Sequence, residues 1–151
     1  MEFYESLPYY KQFNRLCRER GIEIDLEAGD RVVYEGQAYV VAAAQENALA
    51  LVDEWAEIPL EASAILYIHE WEADESCVFL PRLEQMLEVI RRQTGADPIM
   101  TPGVQKAKSV WRLSHPAAAP IVGDSLESGL LELAIRVLKA AGSGCGETRE
   151  V

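Results

Sequence analysis

The densest group of residues that could do chemistry lies in the middle of the chain. Within nine positions the sequence places six possible metal ligands: His69, Glu70, Glu72, Asp74, Glu75 and Cys77. Carboxylates at this density bind hard cations such as Mg²⁺ or Ca²⁺, and an imidazole with a thiolate favours softer metals. The spacing lacks the glycine and the terminal glutamate of an EF-hand loop. We therefore take His69, Glu70, Glu72 and Asp74 as candidate metal ligands, with a solvated acidic connector as the alternative.

Other candidates for nucleophilic or acid–base chemistry are scattered along the chain. His115 lies in a Ser-His-Pro segment after a predicted strand, which is typical of a turn residue. Cys17 falls on the apolar stripe of a predicted helix, where it acts as a small hydrophobe, and Cys145 lies in a glycine-rich stretch that cannot hold a thiolate against a base. The sequence contains no C-x-x-C pair, phosphate-binding loop or nucleophile elbow. These patterns favour a non-enzymatic protein without a cofactor, although a Ser–His or Cys–His pair formed in the fold stays open.

Charge is distributed unevenly along the chain. Fourteen basic and 25 acidic residues give a net charge of −11. Residues 1–30 carry −3, residues 31–80 carry −9, and residues 81–151 carry +1. This balance disfavours a general nucleic-acid or anionic-membrane binder. The acidic middle is either a solvated face or a surface for a basic protein partner, including one that normally holds nucleic acid.

Hydrophobic periodicity predicts the elements that must position these residues. Apolar residues recur with a helical period in three segments, Tyr9 to Cys17, Leu83 to Ile90 and Leu126 to Ala141. Alternating or β-rich runs predict strands at 22–26, 31–34, 37–44, 48–52, 64–68, 78–80 and 109–113, with short strands at 57–60 and 121–122. The segment 96–108 carries two prolines and a glycine, and we predict a loop there.

Local signals predict where the helices begin and end. Ser6 is a predicted N-cap for the first helix, and Asp124 with Glu127 predicts a capping box for the last one. Gly142 is the predicted end of the last helix. Gly129 lies inside that helix, where glycine is unfavourable unless a neighbour approaches closely.

Two segments resemble known families. The run Gly29-Asp30-Arg31-Val32-Val33-Tyr34-Glu35-Gly36 and its continuation to Val41 resembles the opening strands of SH3-like barrels. Residues 78–141 are similar to small α/β sandwich proteins of phages and prophages. That similarity rests on the Leu80-Pro81-Arg82 helix start, on Trp111 and on Ser125-Leu126-Glu127. The segments 96–108 and 116–120 depart from the pattern. The resemblance implies a fold and a phage or prophage context, and no activity.

Aromatic residues are the candidates for an interaction surface. Six of them could line a peptide groove of the kind that SH3-like barrels use: Tyr4, Tyr9, Tyr10, Trp55, Tyr67 and Trp71. Core and rim packing is the alternative for each. Within this group we take Trp55, Tyr67 and Trp71 as the candidate interaction residues.

The sequence therefore predicts an α+β protein in two closely packed parts. Residues 1–75 form a helix with a small antiparallel, SH3-like sheet, residues 76–142 form a small sheet packed with two helices, and residues 143–151 form a flexible tail. The expected function is protein–protein interaction of phage or prophage type. The alternatives are an acidic decoy of a nucleic-acid-binding host protein and a metal-dependent hydrolase built on residues 69–77. We expect a cytoplasmic protein without direct nucleic-acid or membrane binding, and homo-oligomerisation stays open.

Overall fold

The α+β architecture is confirmed. A computed structural model describes residues 3–23, 26–45, 48–53, 65–69 and 76–148 of the 151-residue chain. Within these ranges the chain forms, in order, α1 (Phe3–Glu19), β1 (Arg31–Tyr34), β2 (Gln37–Gln45), β3 (Ala48–Asp53), β4 (Ile65–His69), β5 (Cys77–Leu80), α2 (Leu83–Thr94), β6 (Ile99–Gln105), β7 (Lys108–His115), β8 (Ala118–Gly123) and α3 (Leu126–Thr148). The strands build two antiparallel sheets, ordered β4-β3-β2-β1-β5 and β6-β7-β8. No helix in the described ranges has the length and apolarity that crossing a bilayer requires.

The chain divides into two compact units. One contains residues 1–23 together with residues 82–151, and the other contains residues 24–81. This division differs from the predicted boundary at residue 75 in two ways. The first helix packs with α3 and so belongs with the C-terminal elements. Strand β5 pairs with β1 and so completes the first sheet.

The 24–81 unit is built around one apolar face of its sheet. Strand β1 pairs with β2 on one side and with β5 on the other, so that Val32 lies opposite both Tyr39 and Phe79. The core cluster consists of Leu26, Val32, Val41, Leu49, Leu51, Cys77 and Phe79, with Tyr34 and Tyr39 packed against it. The predicted strand at 22–26 is wrong for its described residues. Ile22, Glu23 and Leu26 lie outside any strand, although Leu26 still enters the core.

Helix α3 organises the other unit. It contacts α1, α2, β7 and β8. Its buried residues extend well beyond a narrow stripe: Leu130, Leu131, Leu133, Ala134, Ile135, Val137 and Leu138. A helix that is apolar on so much of its circumference must be surrounded by other elements to exclude water. The deep packing predicted for this segment is confirmed.

Residues 99–105, predicted to lie in a loop, form strand β6. The strand is the edge of its sheet and pairs with β7 along its whole length, with Pro102 opposite Trp111. Proline is tolerated on an edge strand because its missing N–H faces away from the ladder. Most of β6 is exposed, so no apolar alternation marks it in the sequence. On the other edge, β8 begins at Ala118, earlier than the predicted strand at 121–122, and contains Pro120.

Two helix boundaries also differ from the prediction. Helix α1 begins at Phe3, ahead of the predicted cap Ser6, and Pro8 lies inside it. Helix α3 continues to Thr148, through the residues predicted to be a tail. A glycine in a helix costs about 1 kcal/mol relative to alanine. That cost at Gly142 does not end a helix whose preceding turns are already buried.

The N-terminus of α3 is capped by a different pair from the one predicted. The helix begins at Leu126, so Ser125 and not Asp124 is the N-cap. The Ser128 N–H donates to Ser125 Oγ at 3.1 Å, and the Ser125 N–H donates to Ser128 Oγ at 3.2 Å. This is a reciprocal capping box with serine in the N3 position that glutamate often takes.

Candidate functional site

His115 is the last residue of β7 and stabilises the β7–β8 turn. It is 6% exposed, and its Nδ1 accepts the Ala117 N–H at 2.9 Å. Because Nδ1 accepts, we assign the ring proton to Nε2, which lies 3.0 Å from the Ala96 carbonyl oxygen and 3.1 Å from Thr94 Oγ1. Both ring nitrogens are therefore engaged in holding the turn against the end of α2. His115 was predicted to be a turn residue, but it is the last residue of β7, pairs with Ala118 of β8 and borders the turn.

Substitutions at His115 should separate the contribution of its Nδ1 contact from that of its Nε2 contacts. We expect His115→Ala to lower the free energy of unfolding by about 2 kcal/mol, because it removes a buried ring together with its hydrogen bonds to part-buried groups of the turn and of the end of α2. In His115→Asn, the amide oxygen can still accept the N–H two residues ahead, as in an Asx-turn. This variant should therefore lose about half as much free energy of unfolding as His115→Ala. Urea denaturation measures both. Equal stability of His115→Ala and wild type would contradict this assignment.

Cys17 and Cys77 are buried thiols. Cys17 is 2% exposed and Cys77 is 3% exposed. Burial raises the pKa of the Cys17 thiol from 9.0 to about 12. A thiol that stays protonated is a poor nucleophile. The prediction that Cys17 lies on the buried stripe of α1 is confirmed.

The raised pKa of Cys17 makes stability depend on alkaline pH. The native state favours the neutral thiol. The stability that this thiol contributes is therefore fully present below about pH 9 and is lost as pH rises towards 12. Between pH 8 and pH 10, we expect the free energy of unfolding of the wild type to fall by about 1.4 kcal/mol because of this thiol. The loss should be absent from Cys17→Ala, so the difference between the two urea curves reports it. Parallel pH profiles for the two proteins would refute the prediction.

The predicted metal and interaction residues fall largely outside the described residues. His69 and Tyr67 lie in β4, opposite Ala48 and Ala50 of β3. Glu70, Glu72, Asp74, Trp55 and Trp71 lie in segments outside the described ranges. Among the residues the structure does describe, no three His, Cys, Asp or Glu side chains are grouped to hold a metal ion. The metal and aromatic hypotheses for residues 55–77 therefore stay predictions.

A groove lies between α1, the end of β8 and α3, within the unit formed by residues 1–23 and 82–151. Its volume is about 410 Å³. The buried side chains of Leu131 and Ile135 form an apolar base. Tyr9 is 56% exposed and Val122 is 49% exposed, and both line the groove. Concave sites of this size with apolar walls typically bind ligands or protein segments.

Charged residues lie along the length of the groove. Asp124 lies at one end of the groove, in the β8–α3 turn, and Lys139 lies at the other end. Along α3, the distance from Ser128 to Lys139 is about 17 Å at 1.5 Å per residue. Between them, Glu132 and Arg136 form an ion pair with each other. Asp124 and Lys139 make no ion pair with any residue in the described part of the chain. The groove thus has an acidic end and a basic end.

Two glycines allow the groove's acidic end to form. A Cβ on Gly123 would lie 2.8 Å from Gly129 Cα and 2.9 Å from the Ser125 carbonyl oxygen. A Cβ on Gly129 would lie 2.7 Å from Leu113 Cδ1. The close approach predicted for Gly129 is confirmed, and it brings the end of β8 against the first turns of α3. That contact places Val122 and Asp124 beside α3.

This groove was indicated in part by the sequence. Tyr9 was among the aromatic candidates, but the predicted buried stripe also included it. In the structure Tyr10 is 5% exposed and Tyr9 is 56% exposed, so the buried stripe is Tyr10, Phe13 and Cys17. The spacing of Tyr10, Phe13 and Cys17 fits one helix face as well as the spacing from Tyr9 does. Adjacent tyrosines leave the phase of the helix undetermined.

Comparison with protein-family models, curated proteins and solved structures finds no match to this chain.

Proposed function

We propose that this chain is a non-enzymatic protein-interaction protein that binds a segment of another protein in the groove between α1 and α3. The observation that carries the proposal is the exposure of Tyr9 and Val122 over the apolar base formed by Leu131 and Ile135. Exposed apolar side chains around a concave apolar site mark recognition surfaces. Tyrosine is also enriched at the energetic centres of such surfaces.

The charges of the groove indicate the chemistry of the segment. A length of about 17 Å accommodates about five residues of extended chain or about eleven residues of helix. A basic residue at one end of the segment would meet Asp124, and an acidic residue at the other would meet Lys139. The expected ligand is therefore a short amphipathic segment with an apolar centre. Rim charges of this kind set orientation and specificity more than affinity.

A random library of twelve-residue peptides tests the proposal. Peptides selected on the wild-type protein should bind Val122→Ser and Tyr9→Ala about tenfold more weakly, because each variant removes apolar contact at the groove. Lys139→Glu should shift selection away from acidic residues at one peptide end. Fluorescence anisotropy of labelled peptides gives the affinities.

Val104→Ser is the matched control for Val122→Ser. Val104 is 67% exposed in the same sheet but does not line the groove, so its replacement should leave peptide affinity unchanged. The proposal fails if no peptide is enriched. It also fails if the selected peptides bind Val122→Ser as tightly as wild type.

The two resemblances give this function a setting, which we include in the proposal. The hairpin of β1 and β2 turns at Glu35-Gly36, where both residues have positive φ, and this supports an SH3-like arrangement of the 24–81 sheet. The similarity of residues 78–141 to phage and prophage proteins supports an origin in a phage or prophage. Tail, capsid or replication genes beside the coding sequence would be expected, and their absence would oppose that origin.

A second candidate function is an acidic decoy, favoured by the charge of one unit. Residues 24–81 contain thirteen acidic residues and one basic residue, whereas residues 1–23 and 82–151 together carry a net charge of +1. A unit with this charge attracts basic surfaces that normally bind nucleic acid. In a direct test, the protein is added to a fluorescent DNA duplex bound to a twenty-residue polylysine. Release of the duplex at physiological salt supports the decoy, and unchanged anisotropy opposes it.

A further inference from the structure

The three-stranded sheet contains a stretch without acidic residues in an acidic protein. Residues 98–123 include Lys106, Lys108 and Arg112 and contain no Asp or Glu. These three residues lie on the β6–β7 hairpin, and all three are exposed. The hairpin therefore presents a local positive potential on a chain whose net charge is −11.

Four arginines of the 82–151 segment have a carboxylate partner, whereas the hairpin cations have none among the described residues. Ion pairs join Arg82 to Glu84, Arg91 to Asp97, Arg92 to Glu88 and Arg136 to Glu132. In the described part of the chain, Lys106, Lys108 and Arg112 form no ion pair of this kind. Their charges are therefore available to a partner.

Strand geometry places two of these cations on one face of the hairpin. Lys108 and Arg112 are four residues apart on β7, and side chains two or four residues apart in a strand point to the same face. Their cross-strand neighbours on β6 are Gln105 and Thr101, which are also exposed. The two cations are about 13 Å apart along the strand, at 3.3 Å per residue. We call this surface the hairpin face.

Gly103 makes room for the Arg112 side chain on the hairpin face. The Arg112 guanidinium lies across β6, where a Cβ on Gly103 would be 2.8 Å from Arg112 Nε. Arg112 Nη2 also donates to the Val104 carbonyl oxygen at 3.3 Å. The absence of a side chain at position 103 thus leaves room for the guanidinium to lie across β6, where this hydrogen bond orients it. A cation oriented in this way loses less conformational freedom when it binds a carboxylate.

We propose that the hairpin face is a second interaction surface, which binds a short acidic segment of a partner protein. Charge complementarity identifies the partner, since Lys108 and Arg112 lie on this face, Lys106 lies at the adjoining turn, and residues 98–123 contain no carboxylate. A nucleic acid is the less suitable ligand, because a long polyanion would extend past three cations onto a protein with a net charge of −11. A short segment confines its charge to the hairpin.

Two further features define how the segment would lie. Ile99 is 67% exposed at the far end of the same face, opposite Ser114, and offers an apolar contact beside the cations. Pro102 removes one N–H from the outer edge of β6, which opposes extension of the sheet by an added strand. The segment therefore binds across the face and not along the edge. A ligand with several acidic residues and one apolar residue matches this surface.

A fluorescein-labelled decapeptide with six glutamates and one leucine is the probe. We expect salt-sensitive binding by fluorescence anisotropy, and a decrease of about tenfold in affinity when Lys108→Glu and Arg112→Glu are combined. Gly103→Val is the sharper variant. It displaces the Arg112 side chain without changing any charge, and valine favours a strand, so the fold should be kept while affinity falls about threefold.

The controls separate local recognition from net charge. Lys11→Glu reverses an exposed charge on α1, away from the hairpin, and should leave affinity within about twofold. A decapeptide with lysine in place of glutamate should not bind the hairpin face. Three results would overturn the proposal: no binding at low salt, equal binding by the Lys108→Glu/Arg112→Glu protein, or tighter binding of a sixteen-base-pair duplex than of the acidic peptide.

Discussion

Leu130→Ala is expected to lower the free energy of unfolding by about 4 kcal/mol. Leu130 is fully buried in α3, which contacts α1, α2, β7 and β8. Truncation removes the apolar contacts of the leucine and leaves a cavity, because packed elements on several sides cannot collapse around it. A loss of this size is a large part of the total stability of an ordinary domain. Urea and thermal denaturation measure it.

Leu83→Ala is the matched comparison for this effect. Leu83 is the first residue of α2 and is 37% exposed, although its spacing had indicated a place on the buried stripe of that helix. The same chemical change there should cost less than about 1 kcal/mol. The assignment of α3 as the centre of its unit fails if the two variants are equally destabilised.

Gly123→Ala is expected to cost about 3 kcal/mol and to weaken binding at the groove. The new Cβ would meet backbone atoms of Gly129 and Ser125 at 2.8–2.9 Å, and backbone at a capped helix start cannot move aside cheaply. Relief of the clash requires the end of β8 to separate from α3. Because Gly123 and Asp124 line the groove, this separation should reduce peptide affinity together with stability.

Gly129→Ala provides the internal control for Gly123→Ala. Its Cβ would meet the terminal methyl of Leu113, a side chain, and alanine improves helix propensity by about 1 kcal/mol. The net loss should therefore be smaller than at Gly123. In a Leu113→Ala background the same substitution should become stabilising, and a double-mutant cycle measures this coupling. Additive effects of the two changes would show that Leu113 does not limit position 129.

The sequence correctly predicted helices that are buried on one face or on most of their circumference. Helix α2 ends at Thr94 and is followed by the C-cap Gly95, which takes a left-handed conformation with φ of 78° as its sequence position indicates. The apolar pattern of α3 correctly predicted deep packing. Strand β6 was missed because an exposed edge strand has no apolar periodicity and can contain Pro102. The apolar pattern of a segment reflects how much of that segment is buried, and little of an exposed edge strand is buried.

The candidate site was less predictable than the fold, for a related reason. The groove depends on the contact of β8 with α3, which two glycines permit, and on the rotation of α1 that exposes Tyr9. A sequence shows that Gly129 is unusual in a helix but does not name Gly123 as the residue against it. Likewise, Arg112 is one of several basic residues until the pairing of β6 with β7 places it over Gly103.

The division of the chain has a consequence for the order in which it becomes structured during synthesis. Residues 24–81 leave the ribosome as one uninterrupted stretch and can assemble before translation ends. Helix α1 is made first, yet the surface that receives it belongs to α3, more than a hundred residues later. Its apolar stripe of Tyr10, Phe13 and Cys17 must therefore remain uncovered, and accessible to chaperones, until the last helix has been translated.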